Sequence, residues 1–354
     1  STMRRYGLSL LVGVLFLLTV IPSWLGVYNS YIQFLLVVIG VNIILTVSLN
    51  LINGYMGEFS VGHAAFMGVG AYSASLLTVW LLAEDNVFGA PLLPAGLSLI
   101  AFPLALVAGG IVAALFSLLV SIPSFRTRGD YLAIITLAVN FIFKSVIENI
   151  EAIGGPRGFM GMGGVTRVMT GVVNAPWLLI WTFGATVFSV YVIRNFVTST
   201  VGKGVVAIRD DEIAAELMTV NTRWLKVVAF MLGCGLAGVA GGLHAHLLGF
   251  VNPSSYFILQ STLVLVMVYL GGMGSLSGSV ISAIGFTILL ELLRPLGVYR
   301  WVATPLLLIL LMLFRPSGIM GDRELTDLFP KLRKYFGSAE ERLIDDARPA
   351  PAAD

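Results

Sequence analysis

Leu49–Tyr72 reads LNLINGYMGEFSVGHAAFMGVGAY and places five glycines, Glu58 and His63 inside a chain that is otherwise almost continuously apolar. In hydrocarbon an unpaired backbone group is costly, and ionisable side chains are tolerated where they face protein or a water-filled cavity. An interruption of this kind in a membrane segment therefore lies beside a pathway or at a tight helix contact.

The surrounding sequence fixes the class. Of 354 residues, 57% are AVILMFWYC and 11% are charged, with a mean hydropathy of +0.93, whereas soluble domains carry about a quarter charged residues. This composition excludes a pair of soluble domains and specifies an all-α polytopic membrane protein. Cys234 is the single cysteine and cannot form an internal disulfide; with only His63, His244 and His246 beside it, no Cys/His metal cluster can be assembled. A net charge of +2 is too small to suggest nucleic acid. The first apolar run follows Arg4 and Arg5, is about twenty residues long and lacks a small-residue cleavage pattern, so it reads as a retained span.

A span needs about 20 mostly apolar residues, which predicts about ten transmembrane helices, near 7–27, 31–52, 60–82, 93–122, 131–150, 175–196, 226–249, 257–272, 278–296 and 301–315. With the N-terminus inside, sixteen Lys and Arg fall on cytoplasmic segments and four (Arg157, Arg167, Arg294, Arg300) outside, with Lys144 within a span. That bias agrees with an even number of spans and both termini cytoplasmic. The organisation is then a transmembrane domain over 1–320 and a charged, Pro/Ala-rich cytoplasmic tail over 321–354, disordered from about Ser338.

Two loops are long. The outer one, 151–175, is rich in Gly and Met and reads as packing on the membrane face or a partner, or as a flexible connector. The inner one, 198–225, passes through Gly202, Lys203 and Gly204 to Asp210 and Asp211, good N-cap residues for a helix DEIAAELM. There Ile213, Ala214, Leu217 and Met218 share one face and Glu212 and Glu216 another. Reading the acidic face as the exposed one argues against anionic lipid and for a protein partner.

The span after it carries Gly233, Ala237, Gly241 and Ala245 at i+4 spacing, a small-residue stripe that lets backbones approach and predicts a central helix. The next span is short and gives way to GGMGSLSG, a second glycine-rich interruption loosely like the first (MGSLSG at 273–278 against MGEFSVG at 56–62). Paired interruptions in a transporter point to a binding site.

Candidate chemistry is sparse. Asn140, Lys144 and Glu148 form a polar stripe at i, i+4 and i+8, either a pathway or contact surface or a structural ion pair. Glu58 and His63 lack a second acid at dyad spacing, and no HExxH, nucleophile turn or Walker A motif occurs, so neither a hydrolase nor a nucleotidase is indicated. Glu58, Glu148 and Glu291 keep a proton-coupled carrier open as an alternative, although Glu291 is more simply paired with Arg294. His244 and His246, near the end of their span, read as unremarkable exposed histidines.

GYMGEFSVGHAAFMGVGAY at 54–72, RTRGDYLAIITLA at 126–138, GGPRGF at 154–159, AIRDDEIAAELMTVN at 207–221 with the following KVVAFMLGCGLAGVAGGL, and GGMGSLSGSVI at 271–281 resemble the LivM-type permease subunits of ABC importers for branched-chain and other neutral amino acids. The likeness covers nearly everything from Leu49 to Met320; the urea-importing branch is the nearest alternative. The resemblance implies a transporter subunit of the bacterial inner membrane that is not itself an enzyme and holds no cofactor. Its implied partners are a related LivH-like permease, two cytoplasmic ATPase subunits that carry ATP and Mg, a periplasmic binding protein, and membrane lipid. It makes Gly57, Glu58, Ser60, Gly62, His63, Asn140, Gly274 and Ser275 candidates for the translocation pathway. It makes Arg209, Asp210, Asp211, Glu212, Ala214, Ala215, Glu216 and Met218 candidates for ATPase coupling. Glu58 departs from the family, whose members often carry glutamine or an apolar residue there, while Ala64 and Ala65 look more like the amino-acid branch.

Overall fold

Helix α2 (Ser30–Asn50) does not end where its α-helical hydrogen bonding ends: it continues through a π turn, Leu51–Tyr55, into the glycine-rich interruption. The computed structural model describes residues 2–84, 89–126, 131–314 and 317–321. In it helices cover each of the ten apolar stretches, and α6, α8 and α9 lie in the two long loops between them: α1 (Thr2–Trp24), α2, α3 (His63–Leu82), α4 (Ser98–Ser124), α5 (Tyr131–Glu148), then α6 (Met162–Val172), α7 (Trp177–Thr198), α8 (Thr200–Asp210), α9 (Glu212–Leu217), α10 (Thr222–Leu248), α11 (Ile258–Gly271), α12 (Leu276–Leu292) and α13 (Arg300–Phe314). Among the described residues seven helices are long and apolar enough to cross a membrane: α2 with its π turn, α3, α4 with a short 3₁₀ lead, α5, α7, α10, and α11 with a short 3₁₀ lead. The expected tail 321–354 lies, apart from Gly321, outside the described residues.

The small-residue stripe puts α10 at the centre, packed against α4, α3 and α2. A Cβ on Gly241 would land on the Met67 carbonyl of α3, one on Gly70 would land on the backbone of Gly238, and one on Gly238 would sit 2.5 Å from the Ala113 Cβ of α4. The three helices are thus in backbone contact, the arrangement that small residues permit where lipid gives no hydrophobic drive.

The loop 151–175 departs from expectation. Phe159–Met160 (β1) pairs antiparallel with Phe250–Val251 (β2), in register Phe159↔Val251 and Met160↔Phe250. Gly158, at φ +83°, lies so close to the Val251 carbonyl that a Cβ would overlap it. Helix α6 buries Met162, Val165 and Met169 within this same chain, on α3, α10, α4 and α7. The Gly202–Lys203–Gly204 stretch, read in the sequence as part of the inner loop, lies inside α8, with Gly202 fitted against the backbone of Phe196 and Val197.

Candidate functional site

Two asparagines one turn apart on the end of α2 organise the site. Asn50 is fully buried: its Nδ2 donates to the Ser275 carbonyl at 2.9 Å and to Ser279 Oγ at 2.7 Å, and its Oδ1 accepts from the Gly274 N–H at 3.0 Å. Asn53 clasps the other interruption, its Oδ1 accepting from the Ser60 N–H at 3.2 Å and its Nδ2 donating to the Ser60 carbonyl at 3.5 Å. The two breaks, related only by likeness in the sequence, therefore meet: a Cβ on Gly54 would overlap the Gly274 nitrogen. Ser275 Oγ accepts from the Gly278 N–H at 3.0 Å and so also caps α12. Asn50→Leu, which keeps the branching at Cγ but leaves the Gly274 N–H unpaired, is expected to cost about 2 kcal/mol, read as a lower melting temperature in detergent.

The first break runs back into the bundle as an extended segment. Ser60 pairs with Asn53, and His63 Nε2 is 2.8 Å from Ser48 Oγ, so the start of α3 lies level with residues well before the end of α2. Around it converge Thr136 and Asn140 of α5 and Ser261 of α11. The Val61 N–H donates to Thr136 Oγ1 at 3.2 Å, Asn140 Nδ2 donates to the Val61 carbonyl at 2.9 Å, and the Ala64 N–H donates to Ser261 Oγ at 2.8 Å. Ser60 Oγ, His63 Nδ1 and Asn140 Oδ1 are buried with no protein partner. Buried polar atoms in this condition are usually satisfied by water or by a bound solute.

The inner loop contacts the same break. Arg209, at the end of α8, donates from Nη1 to the Gly54 carbonyl at 3.2 Å, and its side chain lies over Gly57, whose φ is +75°. Glu58 Oε1 is 2.7 Å from Lys226 Nζ, and the same ammonium is 2.9 Å from Glu212 Oε1 of α9. Asp211 caps α9 by accepting from the Ala214 N–H at 3.0 Å, and Asp210 pairs with Arg209 at 3.2 Å.

The orientation of α9 reverses the expected one. Its inward face is Glu212, Ala215 and Glu216: Ala215 is buried, Glu212 meets Lys226, and Glu216 accepts from Thr222 Oγ1 at 3.2 Å. Ile213, Leu217 and Met218 point outward, with Leu217 80% exposed. The cause is local: Thr222 and Lys226 open α10 beside α9 and draw the carboxylates in.

Among the candidate residues, Ser60, Gly62, His63 and Asn140 cluster at the start of α3, Gly274 and Ser275 at the second break, and Gly57 and Glu58 between the break and the inner loop. The polar stripe on α5 splits: Asn140 faces the cluster, whereas Lys144 pairs with Glu148 at 3.9 Å and stacks 4.6 Å from the Phe257 ring centroid. His246, expected to be exposed, is buried, 2.8 Å from Thr78 Oγ1 and 2.7 Å from the Gly242 carbonyl; His244 reaches Tyr256 OH at 3.1 Å. Sequence reasoning passed over Asn50, Asn53, Thr136 and Ser261; the signal for the first two was a pair of asparagines three residues apart in an apolar run. Among the described residues no group of three His, Cys, Asp or Glu side chains converges as a metal site.

The family described as branched-chain amino acid transport system / permease component matches residues 31–315. The chain is 30% identical to the high-affinity branched-chain amino acid transport system permease protein LivM of Escherichia coli (strain K12), over 84% of this chain and 71% of that protein. It is 22% identical to a probable LivM of Methanocaldococcus jannaschii, over 90% of this chain and 96% of that protein. Escherichia coli LivH is 32% identical over a shorter stretch, 36% of this chain and 41% of LivH. No solved structure matches. With the family matched across most of its length and both glycine-rich breaks inside the matched region, the chain belongs to the branched-chain amino acid transport permease family, as a LivM-type permease.

Proposed function

We propose that this chain forms half of the translocation pathway of an ATP-driven importer in a bacterial inner membrane, carrying branched-chain or other neutral amino acids handed over by a periplasmic binding protein. In this reading it crosses the membrane ten times with both termini cytoplasmic. It pairs with a LivH-like permease and contacts two ATPase subunits, which hold ATP and Mg, through α8 and α9. Residues 1–320 are the permease domain. Transport of a zwitterion needs no covalent chemistry, only a polar lining that opens alternately to either side. Ser60, His63 and Asn140 supply such a lining at the start of α3, with Gly57, Glu58, Gly62, Gly274 and Ser275 shaping its walls.

The observation that carries the reading is α9: a six-residue helix, capped by Asp211 and fixed from inside by its acids, that presents Ile213, Leu217 and Met218 outward amid charged residues. Apolar side chains held in that setting suit a protein socket better than a lipid surface, which would favour basic neighbours. Leu217→Asp is expected to reduce retention of the ATPase subunits on the purified permease pair at least about tenfold, as loss of a buried apolar anchor does. Undiminished retention counts against this docking site. Reconstituted with its partners, the complex should hydrolyse ATP faster when the binding protein is loaded with leucine or alanine; stimulation by urea alone overturns the substrate assignment.

A stand-alone proton-coupled carrier is less well supported, because each of its candidate acids is ion-paired: Glu58 with Lys226, Glu148 with Lys144, Glu291 with Arg294 at 3.1 Å.

A further inference from the structure

We propose that Lys226 is a strut that carries movement of α9 to the glycine-rich break at 57–62, making Glu58, Lys226 and Glu212 positioning residues that couple partner docking to the start of α3. The inference rests on the reading of α9 as the docking helix.

Lys226 lies in the first turns of α10, and its residue is 7% exposed. A nearly buried ammonium needs compensation, and here it comes from two carboxylates on different parts of the chain, Glu58 at 2.7 Å and Glu212 at 2.9 Å. One ammonium is shared by two carboxylates, each taking its own charge-assisted hydrogen bond, so its position is set by both arms and a shift of either acid is passed to the other. Glu212 is the first residue of α9, next to its cap Asp211, so a displacement of α9 acts on the ammonium directly. Glu58 is two residues before Ser60, which Asn53 holds, and five before His63, where α3 begins. A parallel contact runs beside it: Arg209, on the other side of Asp211, donates to the Gly54 carbonyl and lies over Gly57. The loop thus grips the break on both sides of Gly57, and that glycine's left-handed backbone gives the break its turn. Coupling between sites needs a contiguous network of this kind ending on an element with two arrangements. The break, extended and packed by side-chain hydrogen bonds, is the element the network reaches.

A merely structural ion pair predicts loss of assembly; a strut predicts loss of coupling in an assembled complex. The test uses the complete complex in liposomes, comparing the unaltered chain with Glu58→Gln, Lys226→Arg and the triple reversal Glu58→Lys/Lys226→Glu/Glu212→Lys, and reading ATPase retention and amino acid taken up per ATP hydrolysed. Glu58→Gln is expected to keep the ATPase subunits but lower uptake per ATP about tenfold. Lys226→Arg should preserve the ratio, and the triple reversal should recover most of it. If Glu58→Gln does not assemble, Glu212→Gln, whose carboxylate is half-exposed, is read by the same ratio with the same expected drop. A wild-type ratio in the variant read overturns the strut, as does loss of assembly in Glu58→Gln and Glu212→Gln alike. The Leu217→Asp chain separates the two ideas: retention of ATPases by that variant removes the docking reading, whereas its loss together with a wild-type ratio in Glu58→Gln leaves docking standing and removes the strut alone.

Discussion

Gly241→Leu is expected to stop the chain from accumulating in folded form. Overpacking a core costs about 1–3 kcal/mol when side chains can give way. Here the obstacle is main chain: a Cβ at 241 already overlaps the Met67 carbonyl, and the Ala71 nitrogen is 3.1 Å away. Helix α3 would have to separate from α10, dissolving the contact around which α4 also packs, so a cost of at least about 3 kcal/mol follows from the same packing limits. Gly184→Leu on α7 is the control, since a Cβ there meets nothing within 4 Å. Size-exclusion profiles and melting in detergent check the pair. A monodisperse Gly241→Leu protein with unchanged melting would show that the helices do not touch as described.

Gly62→Leu is expected to leave the fold intact and abolish most transport. Gly62 is the N-cap of α3, and a Cβ there would stand 2.8 Å from both the Cβ and the carbonyl oxygen of Thr136. A leucine pushes the segment off α5 and breaks the bonds from Val61 to Thr136 and from Asn140 to Val61, displacing His63 from its place beside Ser48. The α3–α10–α4 core is untouched, so expression should persist. Uptake should fall at least about tenfold, the ratio that about 1.4 kcal/mol of lost alignment represents. Normal uptake in a well-expressed Gly62→Leu chain would remove this segment from the pathway.

The helices were legible because the bilayer imposes a length and a polarity on every crossing, and helices cover each stretch that those rules select. Local ion pairs were legible for the same reason of regular spacing: Lys144–Glu148 and Glu291–Arg294 are neighbours on any helix. The site was legible only as a list of suspects. Asn50 finds its partners 225 and 229 residues away, and Lys226 joins two acids from separate segments, relations that no period in the sequence announces. In α9 the periodicity gave the two faces correctly but not which one the protein covers, since that depends on the tertiary neighbours Thr222 and Lys226. Helix α6 was hidden by its flanking and internal glycines; the burial of Met162, Val165 and Met169 has helical spacing once the flanking turns are known.

The β1–β2 pair and the asparagine-centred junction fasten different parts of the bundle by different chemistry. The clasp between 159–160 and 250–251 is held by main-chain groups, which every residue except proline supplies, and side-chain identity matters there chiefly at Gly158 and the buried Phe159 and Val251. The junction of the two breaks depends instead on the side chains of Asn50, Asn53, Arg209, Glu58, Lys226 and Glu212. The chain is therefore lopsided in its tolerance of change: the outward positions of the clasp, Met160 and Phe250, can drift, while evolution or an engineer seeking altered transport would find its adjustable parts on the loop-facing side of the breaks.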